Sequence, residues 1–364
     1  MLSIGKAPRL AHCLTRSLGT LAVQRVALLQ HVYAPFAGLE KGSPEYEQLA
    51  ASGRVWEDYF QPGDSKRYQY DSMQKIFEPI LKEIDDLKHS MGLPERSIIE
   101  SLVAEYAHQS VWIEDNMLHL GDSMIINDYL VSTFLGQSDL GSMSARELSK
   151  AALPNLQFML PNADPSQHAE LRNHIVACHW VAKKAMQSLS TPGLDESEVK
   201  YLSSLIVKDT DSKAVYSAGW GKRVKLGDYR QTPIAAKSNP LRIFPYHVEV
   251  PALMKRFFEW RNTKKHLHPL ILACQATAYF LFVHPFLAGN GRVSRLVFQD
   301  ALIRQGYIPV SLRGVVRDGY LGMIRDAQDG DPSEFVAKIL STQLDAMHTF
   351  RARKSEGGDM ATTT

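Results

Sequence analysis

The chain has 364 residues, enough for about two packed units at ~150 residues per domain and for a large core. Lys and Arg number 41 and Asp and Glu 39, a formal charge of +2, so neither nucleic acid nor an anionic membrane surface is called for as a partner. Hydrophobic residues at 45% and charged residues at 22% are ordinary for a globular protein, and three scattered cysteines (Cys13, Cys178, Cys274) exclude a disulfide scaffold and a cysteine-based zinc site.

Residues 1–39 stand apart. They contain Lys6, Arg9, Arg16 and Arg25, and the first acid is Glu40. This basic, acid-poor leader is read as a mitochondrial presequence or a disordered start, which leaves cytoplasm and mitochondrion both open. It is expected to add nothing to the fold. Residues 42–70, rich in Pro, Gly and charge, are expected to wrap the surface. Ile76, Phe77, Ile80, Leu81, Ile84 and Leu87 recur at helical spacing and predict a helix over 73–90. Ile98, Ile99, Leu102, Val103 and Tyr106 predict another over 97–108, and a further helix is expected to cover 110–115 or to end near it. A further helix is predicted over 168–189. A Ser-Thr-Pro-Gly-Leu linker follows, then an N-cap pattern, Asp195 with Glu198, opening a helix to Val207.

Residues 213–250 lack helical periodicity. Gly219, Gly221, Gly227, Pro233, Pro240 and Pro245 punctuate them, and short extended runs over 232–248 suggest an irregular β-hairpin. Helical pattern resumes at 251–260. His268-Pro269 opens the next helix with Pro in its first turn. That helix must stop at His284, because Pro285 disfavours the α conformation before it. Its apolar run, residues 270–283, is shorter than the ~20 residues of a membrane span. Helices are predicted from Asn290 to about Arg304, over 317–327 and over 332–351. The polar tail beyond is expected to be disordered. The sum is an all-α protein with one small β element.

The chemistry lies in His284-Pro285-Phe286-Leu287-Ala288-Gly289-Asn290-Gly291-Arg292-Val293-Ser294-Arg295. A buried helix delivers a histidine to its C-terminal end, a two-glycine loop follows, and a new helix starts. Gly289 and Gly291 let backbone approach a ligand closely. Free N–H groups at the helix start form an anion site. Arg292 and Arg295, three apart, can clasp one polyanion. A histidine beside such a cradle suits a general base for an incoming hydroxyl, so phosphoryl or nucleotidyl transfer is indicated. A tight inter-helix loop would use the same Gly and Asn, but not the histidine and both arginines as well. Other candidates are weaker: His174, Cys178 and His179 are spaced for packing rather than for a metal, and Phe257, Phe258 and Trp260 for a core.

The segment resembles the signature of the Fic (Fido) family, His-Pro-Phe-x-(Asp or Glu)-Gly-Asn-Gly-Arg-x-x-Arg, at every specified position but one. The resemblance extends over about residues 190–345, including Gly227-Asp228-Tyr229-Arg230 and the run Arg317–Phe335. It implies an all-α Fic-type bundle with a β-hairpin flap and an N-terminal helical extension. The implied organisation is a leader over 1–39, an N-terminal helical region over 40–190, a Fic domain over 191–350 and a tail over 351–364. The implied activity is transfer of AMP from ATP to a Ser, Thr or Tyr hydroxyl of a target protein. His284 would deprotonate that hydroxyl, and Phe286, after Pro285, would anchor the loop. Gly289, Asn290 and Gly291 would hold the α-phosphate, Arg292 the phosphate chain and Arg295 the γ-phosphate. The flap over 232–248 would register the target by strand addition.

The departure is Ala288, where the family carries the acid that helps to hold Mg²⁺. A methyl group cannot bind a metal, although Mg²⁺ takes much of its coordination from substrate phosphates and water. Activity is therefore expected to be lowered. A catalytically silent nucleotide-binding module on the same fold, and transfer of another phosphate-containing group, stay open as alternatives. The family often carries an inhibitory helix, (Ser/Thr)-x-x-x-Glu-(Gly/Asn). Ser110 and Glu114 fit it, Asp115 departs from it, and Asn116 follows at once. By resemblance Glu114 would pair with Arg295 and occupy the γ-phosphate site. The target protein and oligomeric state are left open, a homodimer included.

Overall fold

The computed structural model describes residues 21, 23–60, 64–137, 139–217, 224–235, 241–263 and 266–359. Among them every regular element is a helix and none is a strand, so the fold is all-α. The chain divides into two compact units, residues 1–61 with 230–253 and residues 62–229 with 254–364.

In the first unit, helix α1 (Pro44–Ser52) starts on Ser43, whose Oγ accepts the Tyr46 N–H at 3.2 Å, and stops at Gly53, φ 59°. Helix α2 (Arg54–Phe60) follows, with Glu249 Oε1 accepting the Val55 N–H at 3.1 Å at its start. Trp56 and Tyr46 are buried here. Residues 44–60 are therefore helical, not a surface wrap: the Pro and Gly read as loop formers are helix caps. The leader needs a similar correction. Its residues 1–20 and 22 lie outside the described residues, but Val32, Tyr33 and Phe36 are buried, and the Tyr33 hydroxyl donates to the Phe244 carbonyl at 2.9 Å. Residues 232–235 and 241–246 carry no strand, and 236–240 lie outside the described residues. Pro233 and Pro245 remove N–H donors that a hairpin ladder needs.

The second unit carries ten further helices that matter to the site and its support. The helix predicted over 73–90 is two, α3 (Asp64–Ile76) and α4 (Glu78–Met91), because Pro79 occupies a first-turn position and starts a new helix. Helix α5 (Arg96–Trp112) runs without a break through Ser110. Helices α6 (Leu120–Leu130) and α7 (Pro165–Gln187) follow, the latter capped by Asp164 Oδ1 on the Ser166 and Gln167 N–H groups. The Asp195–Glu198 box opens α8 (Glu196–Ile206) as the spacing predicts. His268 caps α9 (Pro269–Val283), and α10 (Asn290–Arg304), α11 (Arg317–Asp329) and α12 (Ser333–Asp359) complete the set. Helix α12 reaches Asp359, into the tail expected to be disordered.

Helix α10 is the hub. It packs on α5, α7, α8 and α9 and is buried on nearly every side. A helix buried all round must satisfy its polar groups internally. Gln299 does so by exchanging both amide hydrogen bonds with the Val310 backbone, at 2.7 and 3.0 Å. Asp300 accepts from Arg304 Nε at 2.8 Å and from the Leu194 N–H at 2.9 Å, which commits it to structure. On α7, His174, Cys178 and His179 are packed in the interior. His179 Nε2 bonds Asn127 Oδ1 at 2.8 Å. The Phe257 and Phe258 rings are likewise core.

Candidate functional site

Helix α9 ends because Pro285 forbids its continuation. His284 takes a left-handed conformation, φ 51°, and reverses the chain. Its Nδ1 lies 3.3 Å from the Leu281 carbonyl. Donation there assigns the proton to Nδ1 and leaves Nε2 as the basic nitrogen. The ring is half-buried at the loop's edge. Phe286 is fully buried, its ring 5.7 Å from that of Tyr229 and 6.3 Å from that of Phe280. Tyr229 is held in turn by its hydroxyl on Glu196 Oε1 at 2.9 Å. The Gly227-Asp228-Tyr229 run thus braces the loop's anchor.

Asn290 closes the loop. Its Oδ1 accepts the Phe286 N–H at 2.9 Å and its Nδ2 donates to the Phe286 carbonyl at 2.8 Å. The Asn290 side chain, expected to hold phosphate, is committed to this clasp on the Phe286 backbone. Gly289 has φ 79°, and a Cβ there would sit 2.8 Å from Ile206 Cδ1. Both conformation and space require glycine. At Gly291 a Cβ would overlap Glu114 Oε1, so a carboxylate oxygen lies against the backbone at the start of α10.

That carboxylate comes from the end of α5. Arg295 Nη2 donates to Glu114 Oε1 and to the Ser110 carbonyl, both at 2.7 Å, and Arg295 Nε donates to Ser110 Oγ at 2.7 Å. Ser110 and Glu114 therefore meet Arg295 together, from a helix end that Asp115, φ 69°, turns away. Arg317 adds a second guanidinium, 3.7 Å from Glu114 Oε2, and donates to the Ile113 carbonyl at 2.5 Å. Burial alone would raise the Glu114 carboxyl, but Arg295, Arg292 and Arg317 outweigh it and hold it below the usual carboxylate range. Burial likewise opposes the Arg295 charge, and Glu114 more than offsets that. Arg295 Nη1 is nevertheless buried without a hydrogen-bond partner.

Arg292 points elsewhere. Its Nη1 lies 2.6 Å from Glu170 Oε1 on α7 and donates to the Ile206 carbonyl at 3.1 Å. His174, 1% exposed, sits behind both arginines. Burial and their two charges push it well below the ordinary imidazole range, so it is neutral at neutral pH. Ala288 presents its methyl group, and the buried Tyr216 hydroxyl faces the backbone of Ala288 and Leu287. Among the described residues no three His, Cys, Asp or Glu side chains are grouped to hold a metal. The side chains here do not fit as Mg²⁺ ligands.

The structure brings Ser110, Glu114, Gly291 and Arg295 together, clasps Phe286 to Asn290, and turns Arg292 away to Glu170. It adds Glu170, which no motif names, and gives Arg317 and Tyr229, named only within longer runs, contacts to Glu114 and to the Phe286 ring. Fold and loop together define an all-helical scaffold that presents a histidine and an anion cradle at adjoining helix ends.

Residues 193–302 match the Fic/DOC family. The chain is 27% identical over 177 residues to a protein adenylyltransferase Fic of Nematostella vectensis, covering 45% of this chain and 40% of that one. It is 38% identical over 93 residues to a protein of the same description from Drosophila willistoni, covering 25% and 19%. It therefore spans less than half the length of these relatives. Among solved structures, Fic-1 from C. elegans superposes with a TM-score of 0.54 at 18% identity, covering 85% of this chain and 81% of that one. A Fic-domain signalling protein from Bacteroides thetaiotaomicron gives 0.52 at 20% identity, covering 74% and 95%. Residues 193–302 therefore form a Fic/DOC domain, and the all-α fold is that of the solved Fic structures. Among the described residues no helix is long and apolar enough to cross a membrane.

Proposed function

We propose that this chain is a protein adenylyltransferase held in check by its own Glu114. The observation that carries the reading is a carboxylate seated where an anion belongs, on Arg295 and against the Gly291 backbone at the start of α10. A site built to take an acid at 2.7 Å on a guanidinium takes a phosphate by the same chemistry.

With ATP bound, the N–H groups of the Gly289–Gly291 turn hold the α-phosphate, and Arg292 and Arg295 the rest of the chain. Nε2 of His284 removes the proton of a target Ser, Thr or Tyr hydroxyl. The hydroxyl oxygen forms a bond to the α-phosphorus. The bond from that phosphorus to the bridging oxygen breaks, and pyrophosphate leaves with the electron pair, its charge stabilised by the arginines. Residue 288 offers no ligand, so any Mg²⁺ would be held by the ATP phosphates rather than by this side chain. Ala288 also favours a second reading, a nucleotide-binding module with slow or no turnover.

Transfer of label from α-³²P-ATP with Mg²⁺ tests the proposal. Label incorporated by Glu114→Gly and lost when His284→Ala is added supports it. ATP binding by Glu114→Gly without label on itself or on any lysate protein overturns it in favour of the silent module.

A further inference from the structure

The two motif arginines face two different acids. Glu114 takes Arg295. Glu170, on the long helix α7, takes Arg292 at 2.6 Å with its side chain 15% exposed and that of Arg292 only 4% exposed. The second pair is as intimate as the first and has no counterpart in the Ser110–Glu114 pattern. Arg292 Nε is buried without a partner, so this guanidinium has unused capacity for an anion.

The two pairs are joined. Asn116, two residues past Glu114 and 2% exposed, donates from Nδ2 to Glu170 Oε2 at 2.9 Å and to the Gln167 carbonyl at 3.0 Å. Its Oδ1 accepts the Leu118 N–H at 3.1 Å, and its own N–H donates to the Val111 carbonyl at 3.1 Å. Both side-chain polar atoms and the backbone N–H of Asn116 are therefore committed, and it fastens the end of α5 to the acid that holds Arg292. If the end of α5 shifts to withdraw Glu114, this fastening strains and Glu170 loses a donor. Conversely, when Arg292 turns to a phosphate, Glu170 is left to Asn116 alone.

We propose that Glu170 is a second carboxylate brake, competing with polyphosphate for Arg292, and that Asn116 couples its release to that of Glu114. This deepens the autoinhibited-transferase reading and rests on it for the identity of the ligand, a nucleoside triphosphate. Each acid neutralises one arginine at rest. A triphosphate, with charge enough for both, displaces the pair together.

Calorimetric titration with inorganic tripolyphosphate tests this without any chemistry, using Glu114→Gly, Glu170→Gln, their double variant, and the same set with Asn116→Ala. Glu170→Gln keeps one acceptor for Arg292 but removes the competing charge. It should tighten tripolyphosphate binding about tenfold, the worth of one hydrogen bond to a charged group. The double variant should gain several-fold less than the product of the single gains, and Asn116→Ala should abolish that shortfall. If Glu170→Gln melts too early to titrate, Glu170→Asp, which withdraws the carboxylate by one methylene, should move affinity the same way. Unchanged or weakened binding overturns the proposal and makes Glu170 a positioning residue for Arg292. Purely multiplicative gains overturn the coupling. Tightened binding in Glu170→Gln with no AMP transfer by any variant upholds the second brake and sinks the transferase reading. AMP transfer with no effect of Glu170→Gln does the reverse.

Discussion

Replacing Glu114 by Gln keeps the length of the side chain and the end of α5 but removes the charge that competes with phosphate. The structure sets the size of the effect. The carboxylate makes one charge-assisted hydrogen bond to Arg295 at 2.7 Å, worth about 1.5–3 kcal/mol. Its contact with Arg317 at 3.7 Å is between side chains each 29% exposed, and adds at most about 1 kcal/mol after solvent screening. A total of about 1.5–4 kcal/mol converts to roughly 10- to 900-fold tighter ATP binding. Titration calorimetry of wild type and Glu114→Gln reads this directly. The same variant should melt lower without ligand, because Arg295 keeps Ser110 but loses its counter-charge, and ATP at about 100 times its Kd should return about 2.7 kcal/mol of that stability. Dissociation constants within about threefold of each other would refute the reasoning. Glu114 would then be a helix-end contact that does not compete for the anion site.

Three further outcomes follow from the geometry. The carboxyl of Glu114 is held below its usual range. Its contribution is therefore present at all pH above the ordinary carboxylate value and is lost only as pH falls through the lower folded value. The affinity ratio between Glu114→Gln and wild type should stay flat from about pH 6 to 8, and a ratio that changes steeply there contradicts the assignment. Gly291→Ala places a methyl group where Glu114 Oε1 now lies. It should weaken ATP binding at least about tenfold even with Glu114→Gly, while the melting point moves little, because residue 291 is helical and not at positive φ. Asn290→Ala leaves the buried Phe286 N–H and carbonyl without partners, at about 1–3 kcal/mol each. Its melting point should fall by roughly 5–15 °C in calorimetric scans, and an unchanged value would mean that the loop closes without the clasp.

Much of the fold was legible because its signals are local. Pro285 ends α9, Pro269 starts it, and the Asp195–Glu198 box opens α8, each by the chemistry of a few adjacent residues. The loop from His284 to Arg295 was legible for the same reason. Pro79 was the same kind of signal overlooked, and it splits the helix read as continuous over 73–90. In residues 44–60, Pro44 and Gly53 read as loop formers because little apolar periodicity accompanies them, yet with Ser43 they bound a helix. What was not legible is what packing alone brings together. Glu170 lies on α7, far in sequence from Arg292, and nothing near it signals an anion site. Arg317 opens α11 and reaches Glu114 only because α5 ends beside it. Asn290 differs in another way: its side chain, expected at the phosphate, serves the Phe286 backbone instead. Buried polar groups need partners, and which partner answers is settled in three dimensions.

The proposed chemistry has His284, at the end of α9, and the start of α10 transfer AMP once Glu114 is removed. Intact-mass spectrometry of Glu114→Gly after incubation with ATP and Mg²⁺, beside the same protein carrying His284→Ala, reads this without a label. A mass increase equal to one AMP is expected in the first and none in the second. An adduct of phosphate or pyrophosphate mass, or no adduct from a protein that binds ATP, would contradict it.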